Sequence, residues 1–425
     1  MTKNKKERKT ERKQDKQRRA VAKEKRRQLR SACTSGLEVG VDDAQAGRPR
    51  RSVTGKPGRK LPDREREGNP EIYQWWDRYM SATGNGRIEL IIERLSEPLS
   101  DEWREALFPE AVFEAESEAD GDRYLALLES LAREHRELYR TGLRWFLRSR
   151  VQHLLAAGKE SDIANVVSTD AADLTKMSDA IFGIVAMLRL ANLESEADEL
   201  AAAVSRVTDI NDWMPWAVKE ISYWLLFKHV RQCVDTGASD DAIAAMETEL
   251  EQLDVNRGAE FVEMRRDIVF ALAGKTHHAW QRDELVGTSQ NALHKQSILG
   301  YEFAGWLRGS LNCTWSAADE LRGLIIESIG RDEIAMRDYL DGVPQNLLDK
   351  HLALRLGFMA LDRFKAPAML IAVDHFVKFL TERDLVTPTS RHATQESVSA
   401  LDLQLRHLLR DEWQSFRFLD RLRAK

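Results

Sequence analysis

The stretch LRWFLRSRVQHLLAAGKESDI, residues 143–163, decides the fold class. Its apolar residues recur at helical spacing and form one face of a helix, interleaved with arginines. That face comprises Leu143, Phe146, Leu147, Val151, Leu154 and Leu155. Gly158 follows, at a position where a helix C-terminus favours a residue with positive φ. The stretch therefore predicts a helix, a tight turn and the start of a second helix.

The same pattern continues on both sides of this stretch. From Pro70 onward, apolar residues recur at helical spacing and almost never alternate as they do in a strand. Asn69-Pro70 supplies an N-cap followed by proline at the first helical position. Two segments, about 178–191 and about 214–235, are apolar nearly all round, which predicts central helices. We therefore predict an all-α fold of stacked antiparallel helical hairpins, an irregular α-solenoid, over residues 70–425.

The C-terminal part of this body is predicted to close the stack. Apolar residues from Val398 to Leu409 form one face of an amphipathic helix over about 394–422. The arginines of that helix are expected to face water: Arg406, Arg410, Arg417 and Arg421. The sequence also allows a division of the body into two sub-units that meet near residues 255–300.

A short pattern recurs where one predicted helix ends and the next begins. It consists of a Gly or Asn C-cap, two turn residues, a Ser or Asp N-cap, an acidic first turn and a small apolar residue. It occurs at Gly158-Lys-Glu-Ser161-Asp162-Ile163, Asn192-Leu-Glu-Ser195-Glu196-Ala197, Gly237-Ala-Ser-Asp240-Asp241-Ala242 and, more loosely, Gly330-Arg-Asp-Glu333-Ile334-Ala335. The separations of 34, 45 and 93 residues make any repeat array irregular.

At these junctions the chain resembles the tetratricopeptide repeat, whose paired helices also join through a Gly-x-x-acidic-Ala turn. The resemblance covers about residues 140–250, with one further unit near residue 330. The Trp, Leu and Tyr positions of the family pattern are not reproduced in register. The resemblance implies a concave surface that docks a protein partner, and it carries over no catalytic residue. Generic stacked hairpins are the alternative explanation of the same turns.

Charge is distributed unevenly along the chain, whose formal net charge is −5. Residues 1–30 carry 15 Lys/Arg and four acidic residues, a net charge of +11, and residues 31–70 add +2. Residues 71–425 consequently carry −18. Residues 1–30 have almost nothing to bury and are predicted to be a disordered or charged-helix arm. Residues 31–69 contain six glycines and three prolines, which predicts a linker.

The basic arm is a candidate for binding nucleic acid. Lysine and arginine at this density suit phosphate backbones, because each contact releases condensed counterions. We expect the charges between Arg12 and Arg30 to act as a group, above all Arg18, Arg19, Arg26 and Arg27. The alternatives are a tail that only aids solubility, a grip on an acidic protein partner, or a localisation signal.

Within the linker, Gly47-Arg48-Pro49-Arg50-Arg51 resembles the core of an AT-hook. In that family the Gly-Arg-Pro core lies extended in the minor groove and flanking basic residues contact phosphates. The resemblance implies roles for Arg48, Arg50 and Arg51 in binding A·T-rich DNA. A degenerate copy follows at residues 55–60, whereas Ala46 stands where the family has a basic residue. This favours DNA slightly over RNA.

Candidate catalytic and metal-binding residues form no recognisable motif. The sequence contains no His-Glu-x-x-His, no phosphate-binding loop and no nucleophile elbow. Adjacent His277 and His278 would splay apart on a helix, and Cys233 and Cys313 lie in apolar helices as small hydrophobic residues. The acidic residues between Glu114 and Asp122 indicate a solvated loop or helix start, with an ion site or docking patch as the alternative.

Aromatic residues open the body: Tyr73, Trp75, Trp76 and Tyr79. Such a cluster is typical of a helix that packs onto its neighbours, and stacking on nucleic-acid bases is the alternative. No apolar run reaches the roughly 18 residues of a membrane span, and the N-terminus lacks the apolar region of a signal peptide. We therefore expect a cytoplasmic protein, or a nuclear one in a eukaryote.

The sequence thus predicts a non-catalytic helical scaffold that docks a protein partner and is tethered to nucleic acid by its basic arm. No cofactor or metal is expected, and a small-molecule ligand is disfavoured. The main alternative is a pure protein–protein adaptor without a nucleic-acid role. The third hypothesis is an all-helical enzyme, since catalytic groups on helices need no local motif.

Overall fold

Regular secondary structure is helical throughout the residues described by the computed structural model, and these residues contain no strand. The prediction of an all-α fold is confirmed. The described residues are 70–100, 103–104, 108–116, 120–174, 179–207, 215–252, 259–276, 279–330, 334–356, 362–410 and 412–423.

The helices follow one another closely along the chain. The first nine are α1 Pro70–Ser81, α2 Asn85–Leu95, α3 Phe108–Ala115, α4 Gly121–Glu134, α5 Arg136–Thr141, α6 Leu143–Ala156, α7 Glu160–Ala171, α8 Asp179–Leu190 and α9 Glu194–Val204. The next are α10 Pro215–Asp235, α11 Asp240–Gln252, α12 Ala259–Leu272, α13 Arg282–Leu285, α14 Gln290–Leu311, α15 Trp315–Gly330, α16 Met336–Asp341, α17 Gln345–Arg355, α18 Lys365–Glu382 and α19 Pro388–Leu408. A 3₁₀ helix, Trp413–Leu422, ends the described chain and is called the C-terminal segment below.

The chain divides into two compact units. One comprises Met1–Leu61 with Ala353–Ala360, and of these only residues 353–356 are described. The other comprises Pro62–Leu352 with Leu361–Lys425, and every interaction discussed below lies within this second unit.

Three of the predicted helix junctions share one turn geometry. The residues in the left-handed region are Gly158, Asn192 and Gly237, with φ of 68°, 61° and 95°. In each turn the next backbone N–H bonds back to a carbonyl in the last helical turn: Lys159 to Leu154, Leu193 to Leu188 and Ala238 to Cys233, at 2.9, 2.9 and 3.0 Å. This is the Schellman arrangement, which satisfies carbonyls that a helix end leaves free. The turns join α6 to α7, α8 to α9 and α10 to α11 as packed hairpins.

Other details of the predicted junctions are wrong. Ser161 and Ser195 lie inside α7 and α9, because the helix starts directly after the Schellman turn and no side chain caps it. At the third junction Ser239, rather than Asp240, is the cap, and its Oγ accepts the Ala242 N–H at 3.2 Å.

The fourth junction differs in its backbone. Gly330 ends α15 without a positive φ. Three left-handed helix ends were not predicted, at Gly274 with φ 64°, Asn312 with φ 51° and Asp384 with φ 57°. They follow α12, α14 and α18, so the left-handed turn residue recurs outside the repeat pattern.

The two helices predicted to be central differ from each other. On α8, every described side chain from Ala180 to Leu190 is buried, and the helix packs against α6, α9, α15 and the C-terminal segment. On α10, Lys219, Lys228 and Gln232 are exposed, so this helix keeps a solvated side. Apolar content alone did not distinguish the two, because α10 also carries Lys and Gln side chains that stay in water.

The C-terminal helix predicted over 394–422 is two elements instead of one. α19 ends at Leu408, and the chain then turns into the C-terminal segment. The buried residues Phe416, Leu419 and Leu422 recur every three positions, which matches the three residues per turn of a 3₁₀ helix. The segment packs on α6, α8 and α18, so the chain end closes onto early helices.

The four arginines predicted to face water are exposed: Arg406, Arg410, Arg417 and Arg421. Two of them also form contacts with other elements. Arg421 pairs with Glu160 of α7 and donates to the Ala191 carbonyl at 2.9 Å. Arg406 pairs with Asp402 and lies 4.6 Å from the centroid of the Trp413 ring. These contacts bridge α7, α19 and the C-terminal segment.

A substitution at Gly305 tests how closely α14 approaches α12. A Cβ at this position would lie 2.4 Å from the Leu272 carbonyl oxygen, which is backbone and has little room to move. We expect Gly305→Ala to lower the free energy of unfolding by about 1–3 kcal/mol, measured by urea denaturation. Gly323→Ala, which meets open space inside α15, is the control and should raise that free energy by about 0.5–1 kcal/mol. Equal effects of the two substitutions would contradict the close approach.

Candidate functional site

The seven arginines predicted to bind nucleic acid lie outside the described residues. They are Arg18, Arg19, Arg26, Arg27, Arg48, Arg50 and Arg51. The same holds for Cys33, His277 and His278. The candidate nucleic-acid interface therefore remains a prediction from the sequence, and the structure bears on the body that carries the arm.

The aromatic cluster at the start of the body packs against other helices. Trp75 and Tyr79 are buried, and their rings stack with centroids 5.1 Å apart. Trp103 meets the Trp75 ring edge-on at 5.0 Å, and the Tyr79 hydroxyl donates to the Ala111 carbonyl at 2.6 Å. Trp76 alone of these three α1 side chains is half-buried. In this arrangement Tyr79 docks α1 onto α3, and the Trp75 indole N–H donates to the Leu90 carbonyl of α2 at 3.4 Å. Both rings are therefore not available to stack on bases.

Most arginines in the described part of the chain form ion pairs with carboxylates of the same body. The buried or half-buried examples include Arg136, Arg148, Arg150, Arg189, Arg231 and Arg322. A charge that leaves water must be paired and hydrogen-bonded to be tolerated. These pairs therefore mark positions at which the helices are held together.

One buried cluster surrounds Asp170 on α7, which has no exposed surface. Its carboxylate accepts hydrogen bonds from Arg136 Nη1 at 2.7 Å, Arg150 Nη1 at 3.0 Å and the Tyr139 hydroxyl at 2.6 Å. Arg136 Nε also donates to Asp173 at 2.8 Å. Burial, together with the charge of Asp170, raises the pKa of Tyr139, which keeps its hydroxyl a donor. The cluster fastens α5 and α6 to α7.

A second cluster centres on Asp319 of α15, where the side chain is 2% exposed. Arg189 of α8 donates to one carboxylate oxygen, and Arg322 Nε donates to the other at 2.7 Å. The Tyr223 hydroxyl donates to that second oxygen at 2.7 Å and accepts from Arg322 Nη2 at 2.8 Å. The Arg322 guanidinium also lies 4.2 Å from the centroid of the Tyr301 ring. Side chains of α8, α10 and α15 thus meet at one carboxylate, and α14 contacts the cluster through Tyr301.

The charges of the second cluster are balanced. Burial disfavours the ionised carboxyl of Asp319, but Arg322 and Arg189 outweigh it and hold its pKa below the usual range. Glu320 supplies a further carboxylate, 3.4 Å from Arg189 Nε. Burial raises the pKa of Tyr223 well above its ordinary value, so its hydroxyl remains protonated. Two arginines facing two carboxylates form a neutral group that the interior tolerates.

The turn between α8 and α9 is tied to the start of α15. Asn192 Oδ1 accepts the Thr314 N–H at 2.9 Å, across 122 residues of sequence. Arg231 of α10 pairs with Asp198 of α9 and donates to Ser316 Oγ at 3.0 Å. The junction residue Asn192 therefore serves both as a helix C-cap and as a tertiary contact.

Sequence reasoning did not select these clusters, although one signal was present. Arg189 directly follows the apolar run from Ala180 to Leu188, and Asp319 lies in a helix in which half of the residues are apolar. A charge within such a run has to find a partner when the helix is buried. The sequence cannot say which partner, because Arg189 and Asp319 are 130 residues apart.

The cysteines and the acidic run agree with the simpler predictions. Cys233 and Cys313 are buried, and burial raises the pKa of the Cys313 thiol to about 11, so it stays protonated near neutral pH. Asp120 caps α4, where its Oδ1 accepts the N–H groups of Asp122 and Arg123 at 3.1 and 3.2 Å. Asp120 and Asp122, the last residues of the acidic run, therefore mark a helix start, whereas Glu114 lies within α3.

Two shallow depressions lie on the surface of the described body. One, of about 670 Å³, lies between α1 and α2, and it is lined by Gln74, Asp77, Arg78, Ser81, Ala82 and Leu90. The other, of about 300 Å³, lies between α13 and α16, with Arg282 and Arg337 on its wall. Neither is lined by residues of the two buried clusters. The clusters connect helices to one another.

Within the described residues, no group of three His, Cys, Asp or Glu side chains is arranged to hold a metal ion. Among the described helices, none is both long and apolar enough to cross a membrane.

Comparison with protein-family models, with curated proteins and with solved structures finds no match to this chain. The tetratricopeptide-like and AT-hook-like resemblances therefore rest on the residues quoted above. Function has to be inferred from the charge distribution of the chain and from the contacts within the body.

Asp319→Asn tests the second cluster. The substitution keeps the shape of the side chain but leaves Arg189 and Arg322 buried without their common counter-charge. We expect the free energy of unfolding at pH 7 to fall by about 3–5 kcal/mol in urea denaturation. Asp240→Asn is the control, because Asp240 pairs with Arg266 at the surface, and it should change that free energy by less than about 1 kcal/mol.

The effect of Asp319→Asn on the free energy of unfolding should depend on pH. Since the pKa of Asp319 is lowered on folding, its contribution to stability is present above the ordinary aspartate pKa of about 3.9 and is lost as the pH falls through the lower, folded-state value. The difference in stability between the wild type and Asp319→Asn should therefore narrow below about pH 4. A difference that is constant between pH 7 and pH 3 would contradict the role assigned to this carboxylate.

Proposed function

We propose that this protein is a non-catalytic helical scaffold whose body docks a protein partner and whose basic N-terminal arm tethers the assembly to nucleic acid. One observation carries the proposal: the chain separates a net charge of +11 in residues 1–30 from −18 in residues 71–425. If acidic and basic residues were mixed evenly over the surface, a protein with this small net charge would attract neither anions nor cations preferentially. The separation gives its two parts opposite preferences.

The ion pairs of the body support different roles for the arginines of the body and for those of the arm. Arginines such as Arg136, Arg189 and Arg322 are engaged with carboxylates of their own helices. They cannot leave these partners for a phosphate without stranding a buried acid. The arm, in contrast, has 15 Lys/Arg against four acidic residues. In the arm, Lys and Arg outnumber the neighbouring carboxylates. We therefore assign phosphate contact to the arm.

DNA is favoured slightly over RNA by the linker. Gly47-Arg48-Pro49 would hold Arg48 on an extended backbone, the form that enters a narrow A·T minor groove. Phosphate contacts by the arm would add affinity without reading sequence.

Docking of a protein partner is proposed for the helical body. Its hairpins are cross-linked by buried polar clusters, and such a frame keeps a binding surface in one shape. The most exposed large apolar side chains of α19 are Leu403 at 71% and Leu408 at 51%. Singly exposed apolar residues are common on any surface, so these positions are the first to be substituted in a search for the partner.

The arm hypothesis is tested by replacing four arginines in the full chain: Arg18, Arg19, Arg26 and Arg27 to Gln. We expect weaker binding to duplex DNA, and a slope of log K against log salt that is smaller in magnitude by about 3–4, because four phosphate contacts are removed. Fluorescence anisotropy between 50 and 200 mM salt, with duplex DNA and structured RNA as probes, would measure both effects. We expect the affinity to change by about tenfold or more.

A matched control removes four exposed arginines from the body instead. Arg78, Arg133, Arg266 and Arg337 have side chains that are 59%, 75%, 60% and 75% exposed. Their replacement by Gln changes the net charge equally and should leave the slope unchanged. An equal loss in both variants would assign binding to overall charge, and salt-insensitive binding by the wild type would favour the pure protein–protein adaptor.

The linker hypothesis has a separate test. Arg48→Ala should abolish any preference for an A·T-rich over a G·C-rich duplex, because the arginine that reaches the minor groove is lost. Arg64→Ala, the same charge change outside the Gly-Arg-Pro core, should preserve the preference. If competition binding gives both variants the wild-type ratio of affinities, Arg48 does not act as a minor-groove contact.

A further inference from the structure

Polar contacts hold the C-terminal segment in a groove between α6, α8 and α18. The carbonyl oxygen of Leu422 lies 2.9 Å from Nε2 of His375 on α18. Beside it, Arg421 donates to the Ala191 carbonyl at 2.9 Å and pairs with Glu160. The apolar side chains that enter the groove are Phe416, Phe418, Leu419 and Leu422, all buried.

The geometry of the segment depends on the groove. It is a 3₁₀ helix of ten residues, whereas runs beyond three or four residues are uncommon because 3₁₀ hydrogen bonds are poorly aligned. A free peptide of this length would not keep that conformation. The segment is therefore an element with two alternatives, docked and ordered or undocked and unfolded, and contacts at the groove determine the balance.

His375 is the contact whose chemistry changes near neutral pH. Its side chain is 2% exposed. Because the Leu422 carbonyl only accepts hydrogen bonds, Nε2 must carry the hydrogen. Nδ1 is consequently the unprotonated nitrogen, and it is buried with no hydrogen-bond partner. In the docked state, the imidazole is thus neutral and has no acceptor for a second proton.

The charged groups near His375 do not supply that acceptor. Asp374 and Lys378, on the same helix, act on the imidazole with opposite signs. Asp374 Oδ1 accepts from Gln395 of α19 at 3.3 Å, and Lys378 Nζ lies 5.7 Å from the centroid of the Trp306 ring of α14. Asp374 and the hydrogen bond to the Leu422 carbonyl favour a charged imidazole, Lys378 opposes it, and neither Asp374 nor Lys378 is a partner of Nδ1.

The other elements packed against α18 present neutral groups or paired charges. The Trp306 ring lies 6.3 Å from the imidazole, and Tyr339 of α16, bonded to Ser328 of α15 at 2.9 Å, packs on the neighbouring Phe376. On the C-terminal segment, Arg421 pairs with Glu160, and Arg423 just beyond it pairs with Asp402. Burial is the largest effect on His375 and lowers its pKa.

We propose that His375 is a pH-sensitive latch: protonation at Nδ1 in mildly acidic solution releases the C-terminal segment from the groove between α6, α8 and α18. The undocked state exposes the imidazole to water, where it takes up a proton at its ordinary pKa of about 6.5. The docked state resists that proton. Docking therefore weakens as the pH falls below about 6.5, by up to tenfold in the docking equilibrium per pH unit, until the pKa of the docked state is reached.

Hydrogen exchange read by mass spectrometry on the full chain tests the latch. After correction for intrinsic exchange, protection of residues 413–422 should be constant above neutral pH and fall by up to about tenfold between pH 6.5 and 5.5. Peptides from α19 should keep their protection over the same range. The latch is independent of the arm, so no nucleic acid is needed.

Two substitutions separate titration of His375 from general acid effects. His375→Gln keeps an amide donor for the Leu422 carbonyl but does not titrate, and its protection of 413–422 should not vary with pH. His392→Gln changes a histidine that is 73% exposed and should behave as the wild type. A wild-type segment whose protection is the same at pH 7.5 and 5.5 would overturn the proposal, whether or not His375→Gln folds. Equal loss of protection in α19 or in His375→Gln would overturn it too.

Discussion

The carboxylate of Asp319 is the constraint on which the centre of the body depends. It lies 2% exposed between the guanidinium groups of Arg189 and Arg322, and the Tyr223 hydroxyl completes its hydrogen bonds. Because a buried charge is tolerated only with its partners in place, α8, α10 and α15 must come together in one arrangement. Asp170 imposes the same condition on α5, α6 and α7. The body is therefore fixed at points of polar contact in addition to its apolar packing.

The pairing of arginines with carboxylates inside the body bears on the proposed function. Cations that hold helices together are not available to a phosphate backbone, so the proposed nucleic-acid contacts are assigned to the arm and linker, which have their own excess of Lys/Arg. The long-range contacts also distinguish this body from a simple repeat array, in which each unit meets only its neighbours. Here α15 packs on α8, and the C-terminal segment packs on α6 and α8.

Local signals were predictable because they involve only neighbouring residues. Gly158, Asn192 and Gly237 occupy the left-handed positions that the turn pattern predicted. The caps assigned to Ser161 and Ser195 were wrong, since the helix start depends on how tightly the turn closes. The boundary at Leu408 was missed because helical and 3₁₀ periods are hard to separate over a few apolar residues.

The sequence by itself determined the all-α class, the positions of three hairpin turns and the separation of a basic arm from an acidic body. Each follows from periodicity, local backbone preference or summed charge, which need no knowledge of distant residues. Only the tertiary structure decided which charges meet. Asp319 and Arg189 are 130 positions apart, and Glu160 and Arg421 are 261 positions apart. Many carboxylates in the chain are chemically equivalent, and only folding brings one of them within hydrogen-bond distance of a given arginine.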